Sequence, residues 1–200
     1  MKDIIKDIQR QEDRRAFRAL NKAIYSPMEI NIQPCIFGYA LIATTWKERL
    51  MAVELGSTIE ELIGNYVNHW NKTNYVKSLF VSNDREPDPK VVNSVLRVIN
   101  EGGLIDNAVH CNISLSGTML QRKVWEALLK IPSGTVETYQ QIAERIDEPQ
   151  AVRAISNAIG ANPIAIIIPC HRVIRSDGKI GGYRWGEKVK QKLLAREGAR

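Results

Sequence analysis

The sequence contains few cysteines, and none has the spacing of a cysteine framework. Its 200 residues include three, Cys35, Cys111 and Cys170, with no C-x-x-C pair. An odd number without paired spacing argues against a disulfide scaffold and a zinc finger, and it fits a reducing compartment. The histidines His69 and His110 have no second ligand at metal spacing. We therefore expect no metal site and no other cofactor.

Long apolar runs are also missing. No stretch approaches the roughly 20 apolar residues that a membrane helix needs, and the charged N-terminus lacks the pattern of a secretory signal peptide. These absences predict a soluble, cytoplasmic protein with no membrane partner. The length suits one large domain or two small ones, and either can bury a core.

The net charge of +6 is concentrated at one end of the chain. Up to Cys170, 19 basic and 19 acidic residues cancel, and from His171 onward nine basic residues face three acidic ones. A basic surface beside a candidate nucleophile indicates a polyanionic partner. The alternative is a solvated basic tail without a partner.

The first 115 residues predict accessory structure without chemistry of its own. Residues 3–24 are charge-rich with apolar positions at helical spacing, so we assign 1–30 to a helical N-terminal extension of unknown function. Residues 31–115 mix short strands with helices, which predicts a small α/β domain. Its expected elements are a hairpin over 35–55, a capped helix from 57 or 58 to about 70, a strand near 76–81, a capped helix over 90–100 and a strand over 108–115.

Residues 116–200 predict a mainly helical domain with a helix-turn-helix. Capping boxes at Thr118 and Thr138 each begin a helix. A tight turn after the second leads at once into a third helix over 150–160. One face of this helix carries only small side chains, which would let its backbone approach a narrow minor groove. The ordinary helix propensity of alanine is the alternative explanation.

The densest apolar stretch ends at a cysteine and a histidine. Five aliphatic residues, 164–168, predict a short buried strand that Pro169 ends. Cys170 and His171 follow at once. A thiol is a good nucleophile only as a thiolate, and an imidazole can take or stabilise its proton. Taken alone, Cys170 has an alternative interpretation as a small buried hydrophobe, as most free cysteines are.

Three segments together resemble the O6-alkylguanine-DNA alkyltransferase family. They are Asn162-Pro163, Pro169-Cys170-His171-Arg172-Val173 and Gly181-Gly182-Tyr183-Arg184-Trp185-Gly186. The resemblance is dense over 117–197, weaker over 38–115 and absent from the first thirty residues. It implies a ribonuclease-H-like scaffold in the α/β domain and double-stranded DNA with O6-alkylguanine as the partner. We expect a monomer. The metal-binding regulatory part of adaptive-response members is missing, so we expect no methyl-triggered transcriptional role.

The resemblance also implies catalytic roles. Cys170 would take the alkyl group, His171 would take the thiol proton through a water, and Glu197 would orient this histidine. Tyr139 would protonate the leaving guanine, and Asn162 would tie the recognition helix to the active-site strand. Without the resemblance, Glu197 reads as an ordinary solvated helix residue.

DNA contacts and a substrate pocket are implied in the same way. Arg153 falls where the family has the arginine that fills the gap left by a flipped base. The other implied DNA contacts are Ala151, Ala154, Ala158 and Gln140. The implied pocket residues are Val173, Gly182, Tyr183, Arg184 and Trp185, although the glycines alone would also fit a simple turn. For Trp185, two interpretations remain: an indole that restricts the pocket to small alkyl groups, or a core residue beneath the loop.

These expectations describe a DNA repair protein that acts once. It would rotate O6-methylguanine, and by resemblance O4-methylthymine, out of the duplex and move the alkyl group irreversibly to Cys170. One alternative is a lesion-binding or regulatory DNA-binding protein without catalysis. Another is a cysteine hydrolase that uses Cys170 and His171, which would need an oxyanion hole and would turn over.

Overall fold

The computed structural model describes residues 27–45, 47–72, 80–81, 86–103 and 113–199. The helices predicted over 3–24 lie outside these residues, as do most of the strands predicted near 76–81 and 108–115. The observed fold has a sheet-containing N-terminal part and a mainly helical C-terminal part, as predicted. In the described ranges, no helix is both long and apolar enough to cross a membrane.

The N-terminal part is built on a four-stranded sheet with the order β3-β2-β1-β4. Strands β1, β2 and β3 are antiparallel neighbours, and β4 pairs in parallel with β1. The predicted hairpin is therefore confirmed as β2 and β3. Their bounds are β1 Pro27–Cys35, β2 Gly38–Thr45, β3 Leu50–Gly56 and β4 Phe80–Val81.

Strand β1 was not predicted. It begins at Pro27 and so crosses the boundary that the sequence placed after residue 30. Its alternation of Ile30 and Ile32 with polar residues is typical of a strand. Pro27 and Pro34 lie at its two ends, and prolines are typical of loops. The sequence therefore did not predict a strand here.

Two capped helices complete the N-terminal part, α1 Ile59–Lys72 and α2 Pro89–Glu101. Both predicted caps are confirmed: Thr58 Oγ1 accepts from the Glu61 amide at 3.2 Å, and Asp88 Oδ1 accepts from the Lys90 amide at 2.8 Å. Of the strand predicted over 108–115, the described residues show a single bridge between Ile113 and Leu50.

The C-terminal part contains four helices and two short parallel strands in its described residues. Both predicted capping boxes are present, at Thr118 and Thr138. The predicted third helix begins at Val152, two residues later than expected, and has no side-chain cap. The bounds are α3 Met119–Leu128, β5 Glu137–Thr138, α4 Tyr139–Arg145, α5 Val152–Gly160, β6 Val173–Ile174 and α6 Glu187–Arg196.

The apolar stretch 164–168 is not a strand. Only Ile164 makes a bridge, with Val53 of β3, and the remaining residues form turns. The Ile168 amide donates to the Ile164 carbonyl at 3.2 Å, and Ile166 has a φ of 66°, which is unusual for a β-branched residue. The run predicted burial correctly, because all five residues are buried. Burial does not fix backbone direction, and here the segment folds back on itself.

The larger of two apolar cores joins the two parts of the chain. It packs one face of the sheet and α2 against the C-terminal helices and the segment 164–168. The smaller core lies between the other side of the sheet and α1, with Leu62 and Tyr66 fully buried in it. The segment that leads to Cys170 is therefore held between the sheet and the helices.

Trp125 provides a test of this packing. Its indole Nε1 donates to the Ala158 carbonyl at 2.9 Å, and the residue is 2% exposed. Trp125→Phe should keep most of the apolar contact and leave that carbonyl buried without its donor, at a cost of about 1–3 kcal/mol. Urea unfolding monitored by circular dichroism would measure the loss. The control is Met119→Ala on the same helix, which should stay within about 0.5 kcal/mol because Met119 is exposed.

Candidate active site

Backbone pairing brings two distant segments together around Cys170. Cys170–Arg172 form a single 3-10 turn that runs directly into β6. Strand β6 pairs with β5, and Tyr139 follows β5 immediately as the first residue of α4. The Tyr139 hydroxyl lies 3.3 Å from where a Cβ on Gly181 would stand. A glycine at this position, with φ 72°, lets the loop pass close to the phenol.

The Cys170 thiol is buried and held by one polar contact. The residue is 5% exposed, and its Sγ accepts from Asn162 Nδ2 at 3.1 Å. Burial raises the pKa of the thiol to about 11, although Asn162, Lys190 and Arg184 each oppose that rise. At neutral pH the sulfur is therefore a thiol, and it needs a proton acceptor before it can act as a nucleophile.

Asn162 links α5 to this thiol. Its Nδ2 also donates to the Ile168 carbonyl at 2.9 Å, and its Oδ1 accepts from the Ile164 amide at 2.9 Å. Its own amide donates to the Ile159 carbonyl in α5 at 3.2 Å. The contacts match the predicted tie between helix and active-site segment, although that segment is a turn rather than a strand.

His171 and Arg172, the two residues that follow Cys170, form a largely buried polar cluster with Glu197. His171 is fully buried, and its Nε2 lies 3.0 Å from Glu197 Oε1. Arg172 donates to both oxygens of that carboxylate, at 2.9 and 2.8 Å. Burial alone would raise the pKa of Glu197, but the hydrogen bonds from His171 and Arg172 outweigh it and lower the pKa to about 2. Glu197 is therefore no solvated helix residue.

The cluster leaves one imidazole nitrogen free for chemistry. Burial lowers the pKa of His171, against the opposing effect of Glu197, so the ring is neutral at rest. An ionised carboxylate on Nε2 accepts a hydrogen bond, which places the ring proton there. Nδ1 then carries a lone pair, and it is buried without a hydrogen bond. A neutral imidazole in this state can accept the proton of a nearby thiol.

Lys190 is a site residue that the sequence analysis missed. Its side chain is fully buried, and Nζ donates to the Val173 carbonyl at 2.6 Å. Burial lowers the pKa of this amine to about 8, while Cys170 and Glu187 act in the opposite direction. In the lysine-rich sequence of α6, Lys190 looks like a solvated residue. Its position three and four residues before the buried Leu193 and Leu194 was the available indication.

Two predicted pocket residues point elsewhere. Arg184 donates to the Asn162 carbonyl at 2.8 Å and to Glu54 of β3. The Trp185 indole donates to Glu54 Oε2 at 2.7 Å, and the residue is 8% exposed. A buried carboxylate thus holds both donors toward the sheet, and the assignment of these two residues to the substrate pocket stays a prediction. The core interpretation of Trp185 is supported.

The other predicted pocket residues remain close to the site. Val173 is fully buried, and Gly182 is exposed. The Tyr183 hydroxyl is buried, and its ring packs edge-on against His171 and Trp185, with centroids 6.4 and 5.1 Å apart. This loop therefore covers the histidine.

The residues of α5 that were predicted to contact DNA differ in their exposure to solvent. Arg153 and Ala154 are exposed and Ala151 is half-buried, so these three can meet a partner. Ala158 is only 3% exposed, so its side chain adds little accessible surface to the predicted small-residue face. Its carbonyl accepts from the Trp125 indole, and this contact draws the end of the helix into the core.

Two predictions remain: Gln140 as a DNA contact, and no metal role for the histidine and cysteine residues. Gln140 is exposed at the start of α4, where its Nε2 donates to Glu144 at 3.0 Å. Across the described ranges, no group of three or more histidine, cysteine or acidic residues could hold a metal ion.

Comparisons with known proteins identify the family of the chain. Residues 119–199 match the family model described as 6-O-methylguanine DNA methyltransferase, DNA binding domain. The inducible methylated-DNA–protein-cysteine methyltransferase of Bacillus subtilis is 38% identical over 153 residues, which cover 76% of this chain and 80% of that protein. The crystal structure of Mycobacterium tuberculosis O6-methylguanine methyltransferase has a TM-score of 0.65 at 30% identity, covering 86% of this chain and 93% of that one.

The chain is also similar to a longer protein. The bifunctional transcriptional activator/DNA repair enzyme Ada of Escherichia coli is 38% identical over 164 residues, which cover 82% of this chain. The chain spans only 43% of the length of that relative.

The depressed pKa of Glu197 predicts a specific acid sensitivity. Because the folded-state pKa is about 2, against about 4.5 for a free glutamate, the ionised carboxylate stabilises the fold above pH 4.5. This stabilisation, on the order of 2–3 kcal/mol, should be lost as the pH falls from 4.5 toward 2. Glu197→Gln should be less stable than wild type at pH 7, and the difference should shrink over that range. Denaturant unfolding at several pH values measures both.

The control for this titration is Glu126→Gln, an exposed carboxylate on α3. It should follow the wild-type profile. A constant difference between wild type and Glu197→Gln from pH 6 to pH 2 would contradict the assignment.

Proposed function

The chain belongs to the methylated-DNA–protein-cysteine methyltransferase family, and we propose that it repairs O6-alkylguanine in double-stranded DNA by moving the alkyl group to Cys170. The observation that carries this proposal is the geometry of the thiol. Asn162 Nδ2 donates to its sulfur at 3.1 Å, and the next residue in the chain, His171, is a neutral imidazole fixed by Glu197. Such an arrangement prepares a sulfur for one nucleophilic attack.

The reaction balances with the groups present. The Cys170 sulfur attacks the alkyl carbon, a carbon–sulfur bond forms, and the bond from that carbon to guanine O6 breaks. The thiol proton passes to His171, directly or through one water. The departing guanine takes a proton from Tyr139. Burial, together with the nearby Cys170, raises the pKa of Tyr139, so its hydroxyl stays protonated until needed and regains its proton from solvent afterwards.

The product explains why the protein would act once. A thioether on Cys170 has no good leaving group, because a thiolate departs poorly from an unactivated alkyl carbon. A hydrolase would need donors for an oxyanion, and the Cys170 amide is already used by the Ile168 carbonyl at 2.7 Å. The proton-accepting histidine likewise favours alkyl transfer over a lesion-binding or regulatory role without chemistry.

DNA binding is assigned to the two helices that precede the site. We propose that α4 and α5 form a helix-turn-helix, with α5 in the minor groove and the ribonuclease-H-like sheet behind it. The exposed Ala154 and the half-buried Ala151 allow a close approach, and Gln140 lies at the start of α4. Arg153 would fill the space left by a flipped base, with O4-methylthymine as a second substrate.

The assembly and setting follow from the same residues. We propose a monomer, because the contacts of Cys170, His171 and Glu197 described above all lie within one chain. A free thiol at the reacting position requires reducing conditions such as those of the cytoplasm.

Stoichiometric self-alkylation is the direct test. Incubation with excess duplex containing O6-methylguanine should add one methyl group per protein, on the peptide that contains Cys170, as measured by peptide mass mapping. Cys170→Ala should take up no methyl and still bind DNA. Cys35→Ser is the matched control and should react like wild type. Repeated turnover, or methyl on Cys35 or Cys111, would contradict the proposal.

A variant of Arg153 tests whether this residue serves base flipping or the transfer step. Arg153→Ala should slow repair in duplex DNA by about tenfold or more while leaving the reaction with free O6-methylguanine unchanged, because the free base needs no extrusion. Rates of methyl uptake on the two substrates give the comparison. Arg49→Ala, an exposed arginine in the turn between β2 and β3, controls for loss of charge. Equal slowing on both substrates would assign Arg153 to the fold instead.

A further inference from the structure

We propose that Glu54, a residue of the N-terminal sheet, is a positioning residue for the reaction of Cys170. This inference rests on the proposed function, because it concerns the reactivity of the same thiol. Glu54 is the single charged residue of β3, and it is fully buried. Carboxylates are rarely buried completely unless they have partners, so its partners indicate what it does.

The backbone next to Glu54 holds the start of the active-site segment. Strand β3 lies at the edge of the sheet, with β2 on one side only. On its other side, the Val53 amide donates to the Pro163 carbonyl at 3.0 Å, and the Ala165 amide donates to the Val53 carbonyl at 2.9 Å. The sheet therefore fixes the place where this segment begins, six residues before the nucleophile.

The Glu54 side chain makes a second connection through Arg184. Its carboxylate accepts from the Arg184 guanidinium and, at 2.7 Å, from the Trp185 indole. The other terminal nitrogen of the same guanidinium donates to the Asn162 carbonyl at 2.8 Å. A guanidinium is planar and its donors point in fixed directions, so the carboxylate sets the orientation of the group that holds Asn162.

Asn162 completes the connection to the reacting atom, because its Nδ2 donates to the Cys170 sulfur at 3.1 Å. Three hydrogen bonds thus join Glu54, Arg184, Asn162 and Cys170 in sequence. Without the carboxylate charge, the Arg184 side chain, only 16% exposed, would lose its ion pair and turn toward water. The Asn162 backbone would then be free to move, and a displacement of about 1 Å at a nucleophile can slow a reaction about a hundredfold.

The test uses Glu54→Gln, which keeps the shape and one acceptor oxygen and removes the charge. We expect methyl transfer from both duplex DNA and free O6-methylguanine to slow by about tenfold to a hundredfold. A second readout is independent of DNA: the rate at which iodoacetamide alkylates Cys170, measured against pH, reports the titration of the thiol. That profile should shift in Glu54→Gln, and affinity for DNA should stay at the wild-type value.

A matched control separates positioning from stability. Leu62→Ala weakens the smaller core, which packs on the same sheet, and removes none of the three hydrogen bonds that join the four residues. Rates are compared at a temperature where circular dichroism shows both variants folded. If Glu54→Gln reacts at the wild-type rate, or is slowed no more than Leu62→Ala, the inference is overturned.

Arg184→Lys provides the second variant, which also carries the test if Glu54→Gln does not fold. It keeps the charge and loses the second directed donor, so it should slow transfer as Glu54→Gln does. The double variant should be slowed little more than either single one, because both act through the same connection. Additive losses would overturn the inference. A wild-type protein that takes up no methyl on Cys170 would refute the proposed function instead, while the iodoacetamide profiles would still test Glu54.

Discussion

The side-chain amide of Asn162 is the contact on which the geometry of this site depends. It closes the turn from Ile164 to Ile168 and donates to the Cys170 sulfur, while its backbone amide is bonded to the last turn of α5. Because the residue is 1% exposed, each unmade hydrogen bond would cost about 1–3 kcal/mol. The position of α5 and the position of the nucleophile are thereby linked through one residue. No aspartate could replace it, since Nδ2 must donate to both a carbonyl and the sulfur.

Local chemistry explains which parts of the structure the sequence could predict. The capping boxes at Thr118 and Thr138 involve residues three positions apart, so their helices were predictable with their starting points. The run Pro169-Cys170-His171-Arg172 likewise consists of adjacent residues, so the sequence alone was enough to predict a nucleophilic cysteine there. The strand predicted over 164–168 failed for a reason that is also local: the run of aliphatic residues demands burial, and Asn162 decides the backbone path by binding both of its ends.

Contacts between distant residues explain what the sequence could not predict. In the sequence, Glu54 is one polar position in an apolar strand. Its partner, the indole of Trp185, lies 131 residues away. Lys190 reads as part of a solvated basic helix, and its acceptor, the Val173 carbonyl, belongs to a different element. Trp185 was assigned to the pocket from the predicted role of its neighbours in the sequence, and its indole instead donates to Glu54. Such roles are set by the packing of the helices on the sheet, which no periodicity records.

The resting state of the thiol follows from where the fold places its charges. Lys190 and Arg184 both favour the thiolate, but burial dominates and keeps the sulfur protonated at neutral pH. A protonated, buried thiol is protected from oxidation and from stray alkylating agents, which react with thiolates. Under the proposed reaction, which uses each protein once, this protection conserves the reactive form. The proposed reaction then requires a ligand that places an alkyl carbon at the sulfur while His171 takes the proton. On this proposal, selectivity for a bound base and protection of the cysteine have the same physical origin.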